Sequence, residues 1–234
     1  MERPPGVIIK VPRPRLRPLA AVTFDVGGTL IECQPSVGHL YAEVAARHGH
    51  PGLSPEWLNA NFKKAWQQAT RFSHTPAEWA AIVDETFCGS VEPPPSKSFF
   101  PQLYDRFSEP DAWHVFEDVM PILEHLRSKG VKLGVISNWD DRLRPLLRKL
   151  GLEPYFDVIT VSCEQNACKP ARTLFERTCA LLKTAPEDTA HVGDSLDMDV
   201  RGAEAAGLAA FWLRRGAASA APGVIGTLLE LNKI

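Results

Sequence analysis

A chain of 234 residues, 44% hydrophobic and 23% charged, has the composition of a soluble globular protein, long enough for one large domain or for a core with an insert. Its formal net charge of −2 does not suit a nucleic-acid coat or an anionic membrane surface, and no apolar run approaches the roughly 18 residues that span a bilayer, so neither nucleic acid nor membrane is expected as a partner. The five cysteines, Cys33, Cys88, Cys163, Cys168 and Cys179, are odd in number and scattered, and no Cys/His pair stands near Cys163 and Cys168; the pattern predicts no zinc site and reduced thiols in a cytoplasmic protein.

Residues 1–18 hold five prolines among basic residues, with Arg13, Arg15 and Arg17, and read as an extended solvated tail; the competing reading is a proline-rich ligand for a partner domain. Val7-Ile8-Ile9 is too short for the apolar centre of a signal peptide. Ala20 to Phe24 is an apolar run that predicts a buried strand, and it ends at Asp25 where the chain turns through Gly27 and Gly28. From about Pro35 to Pro110 the pattern is helical, with no strand expected. Ser54-Pro55 is an N-cap followed by Pro at the first helical position, and Leu58, Phe62, Ala65, Trp66 and Ala69 follow at helical spacing. Thr75-Pro76-Ala77-Glu78 is a capping box, and Phe99 to Phe107 mark a further helix. The many aromatics of this block are expected mainly in its core.

After Trp113 the pattern alternates. Helices are predicted over Val119–Leu126, Arg142–Leu150, Leu174–Leu182 and Val200–Ala206, and strands over Lys132–Ile136, Asp157–Val161, Ala190–Val192 and Ala209–Leu213. Such alternation implies a parallel sheet covered on both faces, interrupted after its first strand by the helical block. The chain divides accordingly into a tail (1–18), a core (19–34 and 114–234) and an insert (35–113).

Three polar signals fall just after strands: Asp25, Ser137-Asn138 and Asp194. Ligands of open parallel sheets bind beyond the carboxyl ends of strands, so these positions can converge. Asp25 and Asp194 suit a hard cation such as Mg²⁺, Asp25 is a candidate nucleophile toward phosphorus, and Lys169 offers a charge to phosphoryl oxygens. Ser137 can hold another oxygen, Gly27 and Gly28 allow close backbone approach, and Asp199 can act behind Asp194. Each signal alone also has a bland reading as a helix cap or a turn.

Taken in order, Asp25-Val26-Gly27-Gly28-Thr29-Leu30, Ile136-Ser137-Asn138, Cys168-Lys169-Pro170 and His191-Val192-Gly193-Asp194-Ser195 with Asp199-Val200-Arg201-Gly202-Ala203 resemble the four motifs of the haloacid dehalogenase-like (HAD) hydrolase superfamily. The resemblance covers roughly residues 20 to 213. It implies an α/β fold, a Rossmann-like parallel sheet core with an inserted all-helical cap, and a Mg²⁺-dependent phosphatase acting on a small phosphorylated substrate through an aspartyl-phosphate. In that scheme Asp25 and Lys169 are catalytic, Gly28, Thr29, Ser137 and Asn138 bind substrate, Asp25, Asp194 and the Gly27 carbonyl hold the metal, and Asp199 supports them.

The sequence departs from the family pattern at Gly27, where phosphatases of the group carry a second Asp that protonates the leaving oxygen and then activates water. General acid–base groups contribute typically about 10²–10⁴-fold. Four readings follow: a slow or specialised phosphatase that draws its acid/base elsewhere, with His39, Arg71 and His74 as candidates; a non-catalytic phosphate-binding or regulatory module; a dehalogenase-like hydrolase; or a phosphonatase-like one using Lys63 or Lys64 of the cap. Trp139 and Asp140 read either as site lining or as packing. Substrate identity and oligomeric state are left open.

Overall fold

The computed structural model describes residues 19–69, 73–217 and 221–233. The proline- and arginine-rich tail and Arg71 lie outside the described residues.

Strand β1 (Ala21–Phe24) is buried along its whole length. The chain then turns back through a short strand β2 (Ile31–Cys33) into four helices: α1 (Val37–Arg47), α2 (Pro55–Gln68), α3 (Pro76–Thr86) and α4 (Phe100–Arg106). It returns through β3 (Trp113–Val115) and continues as α5 (Val119–Ser128), β4 (Lys132–Ser137), α6 (Leu143–Lys149), β5 (Val158–Val161), α7 (Ser162–Gln165), α8 (Arg172–Leu182) and β6 (Thr189–Gly193). A π-helical turn (Leu196–Arg201) leads into α9 (Gly202–Ala205), followed by β7 (Ala209–Leu213) and β8 (Val224–Ile225).

The six core strands form one parallel sheet in the order β5-β4-β1-β6-β7-β8. Phe24 stands opposite Val135 on one side and Val192 on the other, so β1 is central and the chain builds outward from it in both directions. The carboxyl ends of β4, β1 and β6 therefore lie side by side, which is where an open sheet of this kind offers a crevice. Alternation along the strands sends Val22, Phe24, Val135 and Val192 into a core with α5 and α6, while Ile136 faces Phe175, Cys179 and Val200 on the other side.

The inserted cap has its own apolar cluster, built on Tyr41, Leu58, Phe87, Phe99 and Leu103. Its helices start where the sequence places their caps. Ser54 accepts from the Trp57 N–H with Pro55 at the first helical position, and both bonds of the Thr75/Glu78 capping box are made. Cap and core are joined by a neck that the sequence does not predict: β2 and β3 pair antiparallel, with Ile31 opposite Val115 and Cys33 opposite Trp113. Three-residue strands are too short to show an alternating pattern, and the partner of each lies across the whole cap. The helix expected over Val200–Ala206 in fact begins at Leu196 as a π turn. Among the described residues no helix is long and apolar enough to cross a membrane.

Candidate active site

Asp25 sits one residue beyond β1, and its N–H still donates to Val192 O at 2.9 Å, so the sheet fixes its position. Val26 O accepts from the N–H groups of Thr29, Leu30 and Ile31, and Gly28 N–H donates to Ile31 O; none of these turn bonds uses the Gly27 carbonyl. Gly28 has φ +75°, and a Cβ there would stand 2.6 Å from Asp194 Oδ2. The glycine lets the carboxylate that follows β6 press against the turn that follows β1.

Lys169 is 3% exposed and donates to two carboxylates, Asp25 Oδ1 at 2.5 Å and Asp199 Oδ1 at 2.6 Å. Ser137 Oγ donates to the same Asp25 Oδ1 at 3.1 Å. Asp199 is fixed further by the Ser195 N–H on Oδ2 at 3.0 Å and by His191 Nε2 on Oδ1 at 3.1 Å. A Cβ at Gly193 would fall 2.2 Å from Asp199 Cγ, so this carboxylate too depends on a glycine.

Burial opposes the charge of Lys169, but Asp25 and Asp199 outweigh it and raise its pKa. Burial likewise opposes ionisation of Asp199, and Lys169 and His191 overcome it, holding that carboxyl below the usual range. Burial pushes the Asp25 carboxyl up against the opposing charge of Lys169. Desolvation and the like charges of Asp25 and Asp199 push the Asp194 carboxyl up to about 7. Asp194 is exposed to the cavity and faces both neighbouring carboxylates. Carboxylate oxygens of Asp25, Asp194 and Asp199 lie within 4.8 Å of one another, three acids against the single ammonium of Lys169. That excess of hard oxygen donors and negative charge fits a small divalent cation.

Two residues expected to bind substrate have side chains placed away from the cavity or engaged within the protein. Thr29 is fully buried and absent from the cavity lining, because the turn directs it into the core; its carbonyl accepts from Arg215 Nη2. Asn138 reaches the cavity, but its amide is engaged at both ends with one main chain: Lys169 N–H donates to Oδ1 at 2.7 Å and Nδ2 donates to Lys169 O at 3.0 Å. Ser137, Gly27, Gly28, Asp194 and Lys169 all line the cavity beside Asp25, as does Asp199.

The sequence motifs assign no role to His191, which is fully buried and edge-on to Phe175. Burial holds it below its ordinary pKa. In the neutral ring Nε2–H donates to Asp199, and Nδ1 accepts from the Thr23 hydroxyl at 2.9 Å. A polar residue inside an otherwise apolar strand is the signal that marks it. The latch between Asp140 and the cap carries no such signal: Asp140 accepts from Trp79 Nε1 at 2.9 Å and from Arg142 at 2.6 and 2.8 Å.

The cavity over Asp25 measures about 1110 Å³ and lies between core and cap. Its core floor carries the acids and Lys169. Its cap side carries aromatic residues of α2, α3 and α4 together with His74, whose pKa burial lowers to about 4. Of the other acid/base candidates, His39 is not in the lining.

A family model described as haloacid dehalogenase-like hydrolase matches residues 19–207. The chain is 32% identical over 204 residues to the haloacid dehalogenase-like hydrolase domain-containing protein 3 of Bos taurus, covering 82% of this chain and 81% of that one. It is 28% identical over 207 residues to the Rhythmically expressed gene 2 protein of Drosophila melanogaster, covering 80% and 79%. Among solved structures, a HAD phosphatase from Thermococcus onnurineus aligns with TM-score 0.67 at 28% identity over 92% of this chain and 97% of that one. The L-2-haloacid dehalogenase from Xanthobacter autotrophicus shares the fold with TM-score 0.69 at 19% identity, over 92% and 97%. With the four motifs gathered at the ends of β1, β4 and β6 and a family model covering most of its length, the chain belongs to the haloacid dehalogenase-like hydrolases.

Proposed function

We propose that the protein is a Mg²⁺-dependent phosphatase for a small phosphorylated metabolite, working through an aspartyl-phosphate on Asp25. The observation that carries this reading is the pairing of a buried, doubly engaged Lys169 with three carboxylates on one cavity floor. A dehalogenation centre that needs no cation has no use for such an excess of acid. Lys63 and Lys64 are exposed and are not in the cavity lining, which weighs against a phosphonatase-like route through either lysine.

Asp25, Asp194 and the Gly27 carbonyl would hold Mg²⁺, and the bound ion would neutralise phosphoryl charge so that a carboxylate can approach it. Lys169 and Ser137 both donate to Asp25 Oδ1, and Oδ2 is then the attacking oxygen. As Oδ2–P forms, the bond from phosphorus to the leaving oxygen breaks; water then attacks phosphorus, frees phosphate and restores Asp25. Lys169 stays charged throughout and faces the phosphoryl oxygens. Asp199, fixed by His191 and the Ser195 N–H, keeps Lys169 aimed. The five cysteines are unpaired, which supports a cytoplasmic setting.

A second reading, a phosphate-binding module without turnover, is favoured by one observation, the absence of a carboxylate at Gly27. Hydrolysis of 4-nitrophenyl phosphate and of acetyl phosphate with Mg²⁺, wild type beside Asp25→Asn, separates them. Activity that falls to background in the variant supports the phosphatase, and equal activity in both sinks the Asp25 mechanism. Mg²⁺-dependent binding of a phosphate analogue without turnover supports the module.

A further inference from the structure

Two features of the cavity bear on what leaves from phosphorus, and both rest on the phosphatase reading above. The first is the space over Gly27. A Cβ at Gly27 would meet Trp139 Cζ3 at 3.2 Å, so the indole already occupies the direction in which a side chain at 27 would extend. Trp139 is held there. Its N–H donates to Ser162 Oγ at 3.0 Å, its carbonyl accepts from Ser162 Oγ at 3.1 Å and from Cys163 N–H at 3.3 Å, and its ring packs on Trp113 of the neck at 5.2 Å. An aromatic wall thus stands where a proton donor to the leaving oxygen would stand. The other described acids facing the cavity are committed: Asp25 to attack, Asp194 to the cation, Asp199 to Lys169 and His191, and Asp197 to Arg201. Of the other titratable groups on the described wall, burial raises the pKa of Cys33, Tyr41 and Tyr104, which makes them weaker acids, and lowers that of His74 to about 4, which leaves its ring uncharged.

The second feature is the cap wall. Trp66 stacks on Trp79 at 5.4 Å and 16° and on Phe62 at 6.2 Å and 22°, and all three line the cavity with Trp113 and Trp139. Among the described residues the cation on this side is Arg142, and both oxygens of Asp140 already hold its guanidinium. The described residues of this wall suit a flat apolar group, and they offer a second anionic group no unpaired charge.

We infer that the substrate is a phosphate monoester of a planar, apolar and acidic hydroxyl, that is, an aryl-type phosphate. The leaving oxygen departs without a proton. As Asp25 Oδ2 bonds to phosphorus, the electron pair of the breaking P–O bond passes to a phenolate-type oxygen that its own ring stabilises, and solvent protonates it afterwards. A phenolic hydroxyl, near pKa 10 as in tyrosine, tolerates this far better than an alkyl alcohol.

The test is a panel with Mg²⁺: naphthyl and phenyl phosphate, benzyl phosphate, acetyl phosphate and glycerol phosphate. Phenyl phosphate is expected to exceed benzyl phosphate in kcat/KM by about 10²–10⁴-fold, the range an absent general acid leaves. Naphthyl phosphate is expected to show a KM about tenfold below that for acetyl phosphate. In Gly27→Asp combined with Trp139→Leu the phenyl-to-benzyl ratio should shrink to within about tenfold, while Gly27→Asp alone leaves it large. Because that pair could fold poorly, Trp66→Ala gives a second readout: the naphthyl-to-acetyl ratio of kcat/KM should fall about fivefold, a ratio blind to the folded fraction. Wild-type turnover of benzyl phosphate within about tenfold of phenyl phosphate, or a KM for naphthyl phosphate no lower than for acetyl phosphate, overturns the substrate class and leaves the phosphatase standing. No turnover of any member of the panel overturns both.

Discussion

Lys169 owes its aim to a neighbour that never needs to touch substrate. Its ammonium is shared between Asp25 and Asp199, and its main chain is clamped at N–H and carbonyl by the amide of Asn138. Asn138→Ala removes both clamps and leaves two main-chain groups to find other partners. Stability should fall by about 1–2 kcal/mol in urea unfolding, and kcat for 4-nitrophenyl phosphate by more than about tenfold. A stability loss with unchanged kcat would show that Lys169 is aimed by its carboxylates alone. Gly28→Ala tests the metal floor: the new Cβ meets Asp194 Oδ2 at 2.6 Å on a backbone with φ +75°, and Mg²⁺ affinity by calorimetry should weaken by about tenfold or more. The convergence of Asp25, Lys169, Asp194 and Asp199 was legible in sequence because each stands at a strand end or in a fixed motif. The parts played by Asn138, Thr29 and His191 were not, since they depend on which loop lies across from which.

Elements were legible in proportion to their length and their punctuation. α2 and α3 announce themselves by Ser54-Pro55 and by the Thr75/Glu78 box, and β1 and β4 by unbroken apolar runs. The neck strands β2 and β3 carry no such mark, although they join the cap to the core. The latch from the loop after β4 to α3 and α4 is hidden for the same reason. Asp140 is 2% exposed and binds Trp79 of α3, while Arg142 donates to Tyr104 O at 2.6 Å and lies 3.4 Å from the ring of Tyr104 in α4. Asp140→Ala leaves a nearly buried guanidinium without its carboxylate. Breaking such a pair costs about 3–5 kcal/mol, and the bonds Arg142 keeps to Tyr104 place the expected loss near the lower figure. Urea denaturation measures it; a loss under about 1 kcal/mol would mean that solvent replaces Asp140 at little cost.

At the scale of the molecule, one acid ties three distant segments together. Asp118, at the start of α5, accepts from Arg215 Nη1 at 3.0 Å, from the Thr227 hydroxyl at 2.6 Å and from Leu228 N–H at 2.8 Å. Arg215 stacks 3.6 Å from the centre of the Phe116 ring and also donates to Thr29 O, in the turn that carries Gly27 and Gly28. The end of the chain is thereby coupled to the geometry of the site. Burial alone would raise the Asp118 carboxyl, but the hydrogen bonds from Arg215 and Thr227 outweigh it and hold its pKa below the ordinary value. A carboxyl with a depressed folded-state pKa stabilises the protein above its unfolded value, near pH 3.9, and that contribution is lost as pH falls through the folded value. Asp118→Asn should therefore be less stable than wild type by about 1–3 kcal/mol near neutral pH, and the gap should narrow once the medium falls below about pH 4. Urea midpoints of both proteins across that range decide the matter. A gap that stays constant into acid would assign the bond network to shape rather than charge, because an amide could then be losing only geometry that the carboxyl keeps in either protonation state.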